Sequence, residues 1–183
     1  MEQKEKDWLK KHFIDGVLPP FSFIYDETPS SVFLCNWQKS YKTERLDGKT
    51  KHILTYTDPK TGLIAKCICE VFDDFPAIEW VVKLKNNGKE NSPIIENIQA
   101  LDVTLDCKND DELVVHSAKG SFASREDFAP IDFSLPPNTE IQFAPVGGRS
   151  SNTSAFPFFN IDFSGEGIMV GIGWSGQWRA FIQ

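Results

Sequence analysis

The residues best suited to chemistry lie together in one polar run, Gly147, Gly148, Arg149, Ser150, Ser151, Asn152 and Thr153. Paired glycines let a chain turn sharply and approach another surface closely. An arginine forks onto a carboxylate, and hydroxyls bond a sugar or a backbone group. No helix start follows the glycines, so two glycines and one arginine are a weak phosphate signal. Arg149 points instead to a carboxylate, supplied either by another domain or by an acid of this one.

Other candidates reduce to structural readings. Asp73/Asp74 and Asp110/Asp111 are sequence neighbours in turn contexts, where solvated turn residues are far commoner than a catalytic acid and base. Glu79 alternates outward beside Trp80, which suggests either a sugar platform with a carboxylate or a cross-strand structural indole. Cys35, Cys67, Cys69 and Cys107 lack paired zinc-site spacing, so no metal is expected. Cys67 and Cys69 would share a sheet face as buried thiols, with a disulfide as the alternative. His12, His52 and His116 are scattered, give no support to a Ser/His/Asp arrangement, and read as surface or strand residues.

Composition narrows the class. The 183 residues carry a net charge of -7 with dispersed Lys and Arg, unlike the basic stripe of a nucleic-acid binder. No apolar run approaches the roughly 20 residues of a membrane span. The first residues lack the apolar stretch of a secretion signal, so the chain as given is expected to be soluble and cytoplasmic, or periplasmic or secreted if a leader precedes it. Fifteen Phe and five Trp can supply a sizeable core, at about 1.5–3 kcal/mol per buried large side chain.

The elements that must position the polar run are read from periodicity. Residues 3–13 place Trp8, Leu9, His12 and Phe13 at helical spacing, which predicts a short amphipathic helix ended by Pro19 and Pro20. From Phe21 the period becomes two, predicting strands at 21–25, 32–37 and 52–57. Residues 58–62 form a turn, and Leu63, Ala65, Cys67, Cys69 and Val71 then share one face. Ile78, Trp80, Val82 and Leu84 repeat the alternation before a hairpin at residues 86–88 and an extended run at 94–105. A strand is expected at 112–116, and residues 126–138 read as an ordered extended crossing loop. Near the end, Ile168, Val170, Ile172 and Trp174 predict one long strand closed by a two-residue hairpin at Ser175 and Gly176, which lays the Trp178 indole across Gly171 and Gly173. The expected class is all-β, a large two-sheet antiparallel β-sandwich over residues 21–183, with residues 1–20 as helix and lead-in.

The run Gly148, Arg149, Ser150 and Ser151, followed by Pro157, Phe158 and Phe159 and then by Trp174, Ser175, Gly176, Gln177 and Trp178, resembles the end of the N-terminal β-supersandwich domain of glycoside hydrolase family 36, the bacterial α-galactosidases. Thr57 to Pro59, Glu79 and Trp80, the Asn86 to Gly88 turn and the segment from Gly120 to Leu135 are similar to the same domain's hairpins and crossing loop, so the resemblance spans most of residues 20–182. It departs after the two serines, where Asn152 and Thr153 stand in place of a His-Gln type pair. The resemblance implies a non-catalytic domain that packs on a C-terminal catalytic (β/α)8 barrel of the same protein, where two aspartates act on an α-galactoside-type carbohydrate by a retaining mechanism. It further implies a possible homo-oligomer, no cofactor, and Arg149, Ser150, Ser151 and Asn152 at the sugar pocket or subunit interface, supported by Trp174 and Trp178. An autonomous carbohydrate-binding module and a purely structural docking domain are the alternatives.

Overall fold

A computed structural model describes residues 3–15, 18–105, 113–163 and 166–183. Cys107, Asp110, Asp111, Glu112 and Gly165 lie outside the described residues. The fold is all-β and antiparallel, of the sandwich class, and the chain divides into two compact units, Met1–Thr104 and Leu105–Gln183.

In the first unit, α1 (Gln3–Leu9) continues into a π-helical stretch, Lys10–Ile14. The strands are β1 (Ser22–Tyr25), β2 (Thr28–Pro29), β3 (Gln38–Leu46), β4 (Lys49–Thr57), β5 (Leu63–Phe72), β6 (Ile78–Asn86) and β7 (Ile95–Gln99). Strands β3 to β6 form a meander in sequence order, and β2, β1 and β7 form a three-stranded sheet. Register puts His52, Cys69 and Trp80 in one cross-strand row, Leu54, Cys67 and Val82 in the next, and Tyr56, Ala65 and Leu84 in the third. These rows face a core completed by Phe21, Phe23 and Tyr25 from the β1 layer and by Leu9 and Phe13 from the helix. The alternation read for residues 63–71 is therefore the buried face of a central strand, as period two requires. Cys67 and Cys69 are free, buried thiols; burial pushes Cys69 up to about 12.

The turn at 58–62 is built by Asp58, whose carboxylate accepts the Lys60 N–H (2.9 Å) and the Thr61 hydroxyl (2.6 Å). Gly62 takes a left-handed φ of 77°, and a side chain there would press on the backbone of Gly88 in the neighbouring turn.

Residues 32–37 are not a strand. They form α2 (Ser30–Phe33) and a 3₁₀ turn, Leu34–Asn36. The buried or half-buried members are Phe33, Leu34 and Trp37, a helical spacing, because Phe33 and Trp37 join Phe23 and Tyr25 in an aromatic cluster with centroids 5.1–6.2 Å apart. The extended run expected at 94–105 is a strand only over Ile95–Gln99.

The second unit contains β8 (Leu113–Ala118), β9 (Pro130–Leu135), β10 (Ile141–Phe143), β11 (Phe158–Phe163), β12 (Glu166–Gly171) and β13 (Ala180–Ile182). Its main sheet runs β12-β11-β8-β9, and β10 pairs with β13. Val115, Phe159 and Ile161 of the sheet share a core with Phe143 and Trp178, and the Phe143 ring meets Phe159 edge-on at 5.0 Å. The crossing loop expected at 126–138 is half strand. Its apolar Ile131, Phe133 and Leu135 alternate, so β9 pairs with β8 over six residues, and Pro130 takes the first strand position, where its missing N–H is tolerated.

Candidate functional site

The polar run lies in the second unit, in the connection between β10 and β11. Gly147 (φ 74°) and Gly148 (φ 73°) are consecutive left-handed residues, and a side chain at either would meet nothing. The glycines are there for the backbone turn, which an L-residue would strain, and not for a close approach within the chain.

The loop is held by ties that converge from elsewhere in the unit. The Gly148 N–H bonds Gln177 Oε1 at 3.1 Å, and the Trp178 indole N–H bonds the Ser150 carbonyl at 2.7 Å. The buried Asn152 amide donates to the Val146 carbonyl (2.9 Å) and accepts the Ser154 N–H (2.9 Å), while its backbone bridges Ala155 in both directions. Gly120 seals the far side: its N–H reaches the Asn152 carbonyl at 2.7 Å, and a Cβ at Gly120 would collide with Ser151 Oγ and the Asn152 backbone. Each of these carbonyls and amides would otherwise need water, so the ties fix the loop and also satisfy its polar groups.

The six sequence candidates thus divide in two. Trp178 is 8% exposed, its ring edge-on to Phe143 at 5.9 Å, and with Asn152 it supports the loop from inside. Ser150 and Ser151 are half-buried, and among the described residues their hydroxyls make no hydrogen bond. A serine without a neighbouring base is not an activated nucleophile. Arg149 is exposed and has no hydrogen-bond or ion-pair partner among the described residues. Trp174 is 66% exposed. Because Gln177 bonds Gly148, the Trp174 bend and the Arg149 turn adjoin. An unpartnered guanidinium and a largely exposed indole thus lie on the two segments that this bond joins.

The expected terminal hairpin does not form. Strand β12 ends at Gly171, the next paired residue is Ala180, and β13 pairs with β10 in the register Ile141 to Ile182. No side chain lies near the Cβ position of Gly173, and it is the Phe158 ring, not an indole, that covers Gly171, 2.9 Å from where a Cβ there would sit. Trp178 is drawn away from the strand because its ring fills the Phe143 core while its N–H satisfies a loop carbonyl. The apolar parity Ile168 to Trp174 is accordingly only half covered, with Ile168 at the exposed limit and Trp174 open.

Sequence reading missed two polar clusters. His116 on β8 stands between Asp132 on β9 (Nδ1 to Oδ1, 2.8 Å) and Asp162 on β11 (Nε2 to Oδ2, 3.7 Å), and the Asp132 hydrogen bond holds the imidazole above its ordinary value. Only cross-strand register brings these three together. Asp127 accepts the hydroxyls of Ser121 (2.6 Å) and Ser124 (3.0 Å) and the N–H groups of Phe122, Ala123 and Ser124, which keep it far below the carboxylate range. The serine spacing before Asp127 was a legible signal for this capped loop. In the first unit, Glu79 points outward as expected. Trp80 is no sugar platform: its N–H bonds the Ala100 carbonyl at 2.6 Å, and its ring packs on Trp8 at 5.3 Å.

No family model, curated protein or solved structure matches this chain.

Proposed function

We propose that the chain is a non-catalytic domain of a retaining α-galactosidase-type glycoside hydrolase, docking through Arg149 and Trp174 onto a catalytic barrel or a neighbouring subunit. The observation that carries the docking half of this reading is an unpartnered guanidinium on a loop tied to Gly120, Gln177 and Trp178, with a 66% exposed indole, Trp174, in the segment that supplies two of those ties. Arginine and tryptophan dominate interface energetics because each buries a large rigid group at low entropic cost, and a clamped loop has little ordering left to lose. The hydrolase half rests on the motif resemblance, and the carboxylate of a partner supplies what Arg149 lacks here. An autonomous carbohydrate-binding module calls for coplanar exposed rings; Phe128, Phe156 and Phe158 meet at 84° and 39°, so docking stands first.

The test places Arg149→Ala and Trp174→Ala in this chain alone and in the intact hydrolase. Stability of the chain alone should change by no more than about 0.5 kcal/mol. Activity or assembly of the intact protein should fall more than tenfold, as loss of an interface anchor does. Full activity with a large stability loss would make Arg149 a local structural tie. The chain alone should not hydrolyse an aryl α-galactoside; turnover above buffer would overturn the non-catalytic assignment.

A further inference from the structure

The N-terminal segment of the first unit joins a helix to the β3–β6 sheet through two imidazoles. Beyond Leu9 the helix widens: the Asp15 N–H reaches the Lys10 carbonyl five residues back, at 2.9 Å. Such π turns are rare and cluster at functional positions, because the bulge aims a side chain that an ordinary turn would not. Here it buries both His12 and Phe13. The Trp8 ring lies 4.9 Å from His12, tilted by 44°, and Phe13 meets His52 edge-on at 6.4 Å. His52 lies on β4 in the row with Cys69 and Trp80, and one of its nitrogens shares a 2.7 Å hydrogen bond with the Tyr41 hydroxyl.

Both rings are 7% exposed, and each holds one buried nitrogen, His12 Nδ1 and His52 Nε2, without any hydrogen-bond partner. A neutral ring tolerates this because one nitrogen can carry a bare lone pair. A protonated ring must bury a charged N–H with no acceptor, which is far costlier. We propose that residues 3–14 are an acid-released strap: protonation of His12 and His52 undocks the helix from the β3–β6 sheet while the sheet stays folded.

The charges around the rings favour release. Lys11 adjoins His12 and repels a proton there, while a backbone hydrogen bond to Leu18 works the other way. Asp102 is the acid that lines the cleft of about 350 Å³ which His12 and Lys11 also line. His52 faces the Tyr41 hydroxyl, the Cys69 thiol and the Phe13 ring. Neither ring forms an ion pair among the described residues, and burial holds both below the ordinary imidazole value. Depressed folded values mean that docking is fully favoured above about pH 6.5 and weakens as pH falls below it. At pH 5 each ring biases the equilibrium toward release by up to about thirtyfold, and the pair by up to about a thousandfold. Burial of Leu9 and Phe13 opposes this, and the two rings add their effects against it.

Hydrogen exchange read by mass spectrometry between pH 7.5 and 5, corrected for intrinsic rates, tests the strap. Protection across residues 3–14 should fall at least thirtyfold while peptides of β4 and β5 keep theirs. In a His12→Phe, His52→Phe double variant the segment should stay protected at pH 5. His12→Gln alone, which keeps a polar ring-sized group but cannot charge, should remove about half of the effect on a logarithmic scale. Protection that is independent of pH, that is lost together with β4 and β5, or that is still lost in both variants would overturn the proposal.

Discussion

The two units treat the same side chain in opposite ways. His12 and His52 of the first unit are buried among rings with an unpartnered nitrogen each, whereas His116 of the second sits at the surface between Asp132 and Asp162. Burial lowers the first two and a carboxylate raises the third, so acid loosens one unit where it tightens the other. The contrast extends to apolar groups. Both units expose aliphatic side chains, but among the described aromatic residues the first unit leaves only Phe75 exposed, while the second exposes Phe122, Phe128, Phe158, Trp174 and Phe181. Exposed rings held on clamped loops are what an interaction surface needs; a closed core is what a scaffold needs.

Two tryptophans four residues apart give the largest test of this division. Trp178→Ala should cost about 3–5 kcal/mol, because it empties the space beside Phe143 and orphans the Ser150 carbonyl. Trp174→Ala should leave the denaturation midpoint nearly unmoved. Equal costs for the two would erase the distinction between support and surface. A smaller effect, about 1–3 kcal/mol, is expected for Asn152→Ala, which strands the Val146 carbonyl and the Ser154 N–H. Urea midpoints compared with wild type measure both.

A small, pH-dependent effect is expected for His116→Gln. A folded value raised by Asp132 and Asp162 gives stabilisation that is fully present below about pH 6.5 and is lost as pH rises through the raised value. The variant should therefore melt below wild type near pH 5.5 and coincide with it near pH 9. Solvent exposure and salt screening keep this difference small, and 1 M salt should nearly abolish it. A difference that grows with pH would mean that the ring acts neutral.

Much of the architecture is legible in local pattern. Alternation at 63–71 and 78–84 gives the buried face of the meander, because a pleated strand sends successive side chains to opposite sides. Trp8, Leu9, His12 and Phe13 mark a helix because their spacing follows its turn, and Asp58 with Gly62 writes a tight turn into five residues. The chemical types at 147–152 likewise mark a polar glycine-led loop.

What only tertiary structure decided is who meets whom at long range. Residues 32–37 have strand-forming composition, yet they coil because Phe33 and Trp37 gain more by joining Phe23 and Tyr25 on one helical face. Strand β13 pairs with β10, about 40 residues away in sequence, in preference to its neighbour β12, and the same rearrangement buries Trp178 and exposes Trp174. The widened turn that buries His12, and the register that sets His116 between two acids, leave no periodic trace. Periodicity records only which face of an element is apolar; the partner of that face, and hence the charge state and exposure of each functional group, follows from contacts between segments distant in sequence.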